Sequence, residues 1–174
     1  MNIGLKVLLN ATSLVSVLLA LPALAQGPSA LVTENGTIIA TLHAEGAQVY
    51  ECKPDASNAA SQAQALTWQF REPIATLTVG RQTIGRHYAG PNWDHVDGSG
   101  VKGKVIGSTP GTTLSDIPWL NLEATEHRGN GILSDTATIQ RVNTRGGLAK
   151  GSCESAGSYL SVPYSADYVF RRQN

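Results

Sequence analysis

Apolar and polar residues alternate most plainly near the C-terminus. There Val162, Tyr164, Ala166, Tyr168 and Phe170 fall on one side of an extended chain, and Ser161, Ser165, Asp167 and Arg171 on the other. A period of two over that length suits a half-buried strand and fits no helix. The alternation recurs in Leu66, Trp68 and Phe70 and in Ala75, Leu77 and Val79, two runs separated by Arg71-Glu72-Pro73. Earlier lie the short β-prone runs Ala30 to Thr33 and Thr37 to Leu42, split by Asn35-Gly36, and then Ala47 to Cys52. Asn-Gly is the preferred centre of a type I′ hairpin. Downstream, Gln82 to Tyr88, Val101 to Ile106, Ile117 to Leu122 and Ile132 to Asn143 read as strands. They are punctuated by turn chemistry at Gly80-Arg81, Ser108 to Gly111, Gly129 to Gly131 and Gly146-Gly147. The pattern predicts about ten strands in an all-β fold, a single antiparallel β-sandwich or β-barrel-like domain.

The chain ends and the cysteines refine this picture. Lys6, the apolar run Leu14 to Leu21 and Ala23-Leu24-Ala25 read as a secretory signal peptide over residues 1–25, cleaved before Gln26. Residues 26–174 then form one domain, secreted or periplasmic, with residues 53–64 as an exposed Ala/Ser/Gln loop. No later segment approaches the roughly 20 apolar residues of a membrane-spanning helix. Cys52 and Cys153 are the only cysteines, and in an oxidising compartment they are expected to pair. Lys and Arg together number 13, as do Asp and Glu, and no basic run occurs. That balance argues against nucleic acid or an anionic membrane surface as a partner. No cofactor fingerprint is present, and a monomer is expected.

Candidate chemistry concentrates in Ile84 to Lys104, which gathers His87, Tyr88, Trp93, Asp94, His95 and Asp97 around Gly90-Pro91. His87 and His95, with Asp94 and Asp97, carry donors that suit Zn or Cu, although their spacing matches no specific motif. Their ordinary alternative is a strand-end histidine and turn hydrogen bonds. Trp93 follows a turn and precedes an aspartate, so it is expected on a loop as an exposed ligand contact, replaceable by Ala with little loss of stability. Its alternative is a plug over one end of the fold. Arg141, Asn143 and Arg145 could hold an anion beside the amides of Gly146 and Gly147, or simply belong to a hairpin. The pairs Asp94 and Asp97, or Glu123 and Glu126, offer acid and base for hydrolysis, as surface carboxylates often do. Ser99 lacks a nucleophile-elbow context.

The runs GAQVYEC, IGRHYAGPNWDHVDGS, VKGK, IPWLNLEA, ATIQRVNTRGG and VPYSADYVF, in that order, resemble the family catalogued as domain of unknown function 3455, exported proteins of bacteria and fungi. The resemblance implies secretion and a β fold, and no activity. The leading expectation is an exported module that binds an unknown small ligand, a glycan or an envelope component through Tyr88 to Asp97. The alternatives are a small secreted hydrolase using carboxylates of that stretch, or a His/Asp metal-binding domain.

Overall fold

The structure is a computed structural model and describes residues 36–55 and 65–174. The signal-peptide expectation, the Ala30 to Thr33 run, Asn35 and most of the 53–64 loop lie outside the described residues. Every element among the described residues is a strand: β1 (Thr37–Pro54), β2 (Leu66–Val79), β3 (Gln82–Tyr88), β4 (Asn92–His95), β5 (Gly100–Thr109), β6 (Trp119–Arg128), β7 (Thr138–Gly146) and β8 (Tyr159–Arg172). Each pairs antiparallel with its neighbour in sequence, and β8 returns to β1, closing a barrel. Of the two all-β architectures the alternation allows, the barrel is the one formed.

The described residues hold eight strands: two interruptions are absorbed inside longer strands, Asn92–His95 adds a strand that the alternation did not mark, and the Ala30 to Thr33 run lies outside the described residues. Thr37 to Leu42 and Ala47 to Cys52 are parts of one 18-residue strand. Arg71-Glu72-Pro73 does not end β2. The register passes from Val49 opposite Glu72 to Tyr50 opposite Phe70, so Arg71 is the extra residue of a bulge. A bulge shifts the phase of a strand by one. This is why odd residues Pro73, Ala75 and Leu77 are buried on one side of it, while Cys52 and Tyr50 pair with even residues on the other. Ile132 to Ala137, expected as strand, is turn and irregular chain before β7 begins at Thr138.

The terminal strand has the predicted faces. Tyr164, Ala166, Tyr168 and Phe170 are buried, and Asp167 points outward to bond His43 and Asn143. The two ends of the barrel differ. One end is filled by Leu42, Leu77, Val101, Ile139 and Phe170 and capped by Leu133 from the segment before β7. Asp97 and Ser99 fasten that cap: Ile132 N donates to Asp97 Oδ2 at 2.8 Å and Leu133 N to Ser99 Oγ at 3.2 Å. The other end carries the Cys52–Cys153 disulfide, which ties the end of β1 to the β7–β8 connection. Backbone hydrogen bonds from Cys52, Gly157 and Cys153 hold the same connection against β1 and β2. No helix among the described residues is long and apolar enough to cross a membrane.

Candidate functional site

An eight-stranded barrel has an interior just wide enough to be filled by side chains or to hold one small ligand. Here side chains fill one end and a cavity lies toward the other. Above the filled end lies a cavity of about 390 Å³ that opens at the disulfide end. Trp93, His87 and Tyr168 form its floor. The indole of Trp93 and the imidazole of His87 are stacked with ring centres 4.5 Å apart, and Tyr168 meets Trp93 edge-on at 5.2 Å. Phe170 supports the indole from below at 5.9 Å. Gly103 makes room for that ring, because a Cβ there would sit 3.2 Å from Cζ3 of Trp93. Leu120, Leu122, Ile117 and Leu148 supply apolar walls, and Phe70 and Val105 form a half-exposed apolar rim.

The polar groups of the cavity are few and mostly buried. Gln48 and Tyr168 are 2% and 1% exposed, and Gln48 Nε2, Tyr168 Oη and Trp93 Nε1 have no hydrogen-bond partner. Tyr50 Oη donates to the Gly147 carbonyl at 2.7 Å and so anchors the mouth. Arg141 enters from β7, opposite Tyr168, with Nε donating to the Pro118 carbonyl at 3.0 Å. No carboxylate among the described residues lines the cavity.

His87 Nδ1 lies 2.8 Å from the Asn92 carbonyl, an oxygen that can only accept, so the proton sits on Nδ1. Burial lowers its pKa to about 3, with a smaller push from Arg141, against the opposing Asn92 bond. The imidazole in the floor is therefore neutral at ordinary pH. An unfolded imidazole titrates near about 6.5. With the folded value the lower of the two, the unfolded chain takes up the proton first as acid is added. Stability from this group is complete above about pH 6.5 and is lost as pH falls toward 3. By about pH 4.5 the loss should be roughly 2–3 kcal/mol. Urea denaturation at neutral pH and at about pH 4.5 should show that drop in the wild type and a smaller one in His87→Gln. Equal acid sensitivity of the two proteins would contradict the assignment.

Of the residues proposed from sequence, His87, Trp93 and Arg141 meet at the cavity. The others do not. The expectation of Trp93 on an exposed loop is corrected: it lies in β4, 1% exposed, because Asn92 to His95 pairs with both β3 and β5. Tyr88 and Asp94 are on the outer surface, where Asp94 is bonded by Arg86 and Arg128, and Arg86 stacks over the Tyr88 ring at 4.8 Å. His95 Nδ1 is 3.0 Å from Asp97 Oδ1 at the capped end. Partial burial would raise the Asp97 pKa, but bonds from Ser99, Ile132 and His95 outweigh it and hold the carboxyl below its usual range.

His87 and His95 therefore do not converge, and no group of three or more His, Cys, Asp or Glu among the described residues could hold a metal ion. The carboxylates proposed for hydrolysis are engaged elsewhere: Glu123 with Lys104, Glu126 with Lys102, and Asp94 and Asp97 as above. Nor do Arg141, Asn143 and Arg145 form one anion site. Asn143, at φ 53°, bonds Asp167 on the outer face. The Gly146 amide donates to Asp116 Oδ1, which lowers the pKa of that carboxyl with help from Thr113.

Gln48 and Tyr50 were not foreseen as site residues. A signal for Gln48, and for the inward setting of Arg141, was present: Gln48 keeps phase with Ala44, Tyr50 and Cys52, and Arg141 with Ile139. A polar residue in phase with a buried face points inward.

A family model described as protein of unknown function (DUF3455) matches residues 78–172, more than half of the chain. The chain belongs to this family. No curated protein and no solved structure matches it. The DUF3455 match runs from the end of β2 to the end of β8, and so contains His87, Trp93, Arg141 and Tyr168. Gln48, Tyr50 and all but the last two residues of β2 precede the matched region yet complete the same barrel.

Proposed function

We propose that this protein is an exported binding module that takes a small, largely apolar ligand into the barrel. The single observation that carries this is the cavity of about 390 Å³, open at one end, apolar in its walls and rim and floored by three rings. Concave, mostly apolar sites with a few placed polar groups are the usual form of small-molecule sites. The binding residues on this reading are His87, Trp93 and Tyr168 in the floor, with Gln48 and Arg141 as polar contacts. Of the binding residues expected in Tyr88 to Asp97 this reading keeps only Trp93, together with His87 before that stretch and Arg141 on β7. The disulfide supports placement in an oxidising compartment, such as the periplasm or the extracellular space.

Titration with the neutral fluorophore N-phenylnaphthylamine tests the reading, since Trp93 in the floor should transfer energy to a bound naphthalene. Saturable enhancement with quenching of tryptophan emission is expected, together with a rise in melting temperature as ligand is added. A folded protein that shows neither up to the solubility limit of the dye would refute it.

A further inference from the structure

We infer that the ligand is an amphiphilic monoanion, a lipophilic carboxylate whose head is met by Arg141 and whose apolar body lies against Trp93, Leu120 and Leu122. This deepens the binding reading above and rests on it. Arg141 lines the cavity, yet forms no ion pair with any carboxylate among the described residues: its Nε donates to the Pro118 carbonyl and its guanidinium faces only the neutral Tyr168 hydroxyl. The other arginine of the lining, Arg71, is different: at the rim it is already engaged by Glu72, Glu51 and Tyr159. A cation set among apolar walls without a counter-charge is costly, and an anionic partner removes that cost.

The neighbours of Arg141 point the same way. Gln48 Nε2 and Tyr168 Oη are buried and make no hydrogen bond of normal geometry, Gln48 facing Tyr164 and Tyr168 facing Tyr164 and Arg141, and both residues line the same cavity. Burial raises the pKa of Tyr168, so its hydroxyl keeps its proton and remains a donor. A carboxylate accepts through both oxygens and can engage an Arg fork while taking further hydrogen bonds. A neutral His87 in the floor adds no second positive charge, so one negative charge is what the cavity balances. Among the described residues no acidic side chain lines the cavity, so none there would repel an anion.

The test displaces bound N-phenylnaphthylamine with decanoate or with decanol, ligands that share a chain and differ in the head. At neutral pH decanoate should bind the wild type at least about tenfold more tightly than decanol, the size of one charge-assisted hydrogen bond. Arg141→Gln should bring that ratio close to one, and Arg141→Lys should keep most of it. Equal displacement by the two ligands in the wild type would overturn the inference while leaving the cavity reading intact. A preference that survives unchanged in folded Arg141→Gln would overturn the role of Arg141. No binding of the dye or of either ligand would overturn both readings. The wild-type comparison stands whether or not Arg141→Gln folds.

Discussion

Trp93→Ala should lower the stability of the protein by about 3–5 kcal/mol, the usual cost of deleting a large buried ring. The indole is 1% exposed and touches rings on three sides, His87, Tyr168 and Phe170. Gly103 leaves the space that the ring fills, and a glycine cannot close a void by repacking a side chain of its own. The surrounding barrel is a closed ladder that resists collapse, so the cavity left behind should persist. Urea denaturation monitored by far-UV circular dichroism measures the change. A loss below about 1 kcal/mol, typical of surface positions, would show that the ring is not part of the core. Trp93→Phe should cost less, because it keeps an aromatic floor and deletes Nε1, a buried donor without a partner.

The second large effect belongs to the disulfide. Cys52 and Cys153 are separated by 101 residues, and for a loop of that length the chain-entropy estimate is roughly 4–5 kcal/mol. Replacing both cysteines with Ala, or reducing them, should therefore cost a few kcal/mol, read as a shift of the urea midpoint. The effect should reach the cavity as well. The tied connection includes Leu148, which lines the mouth, and Gly147, which accepts the Tyr50 hydroxyl. Dye binding should weaken in the reduced protein even under conditions where it stays folded. Thiol labelling of the unfolded, unreduced chain provides the control: both sulfurs should be unreactive.

Sequence periodicity recovered what depends on local pattern. The inward face of β8 and the span of β3 follow from alternation, and the pairing of the two cysteines follows from their number. The continuity of β2 was hidden because Arg71 is a bulge, and a bulge looks from sequence like a break in phase. Barrel closure was hidden for another reason. It depends on Thr37 pairing with Arg172, a contact between opposite ends of the described chain that no local signal marks.

The site was half legible. Trp93 stood out, but its neighbours Asn92, Asp94 and His95 made the segment look like a loop. In the fold Asp94 is satisfied on the outer surface while Trp93 turns in, so a strand of four residues hides in polar surroundings. Arg141 was grouped with Asn143 and Arg145 by proximity along the chain. The register shift between Val142 and Arg145 breaks that group, sending only Arg141 into the barrel.

The seam between β1 and β8 also bears on how the molecule is made. β1 is among the first described segments to be synthesised, and its partner on that side, Tyr159–Arg172, is the last. Until β8 emerges from the ribosome, β1 and β7 each present an unpaired edge, the kind of surface that recruits other chains. Closure joins residues far apart in sequence, and contacts of that kind slow folding. The unfinished chain is thus the species most exposed to aggregation and most in need of a chaperone. Truncation within β8 would leave an open sheet rather than a smaller barrel.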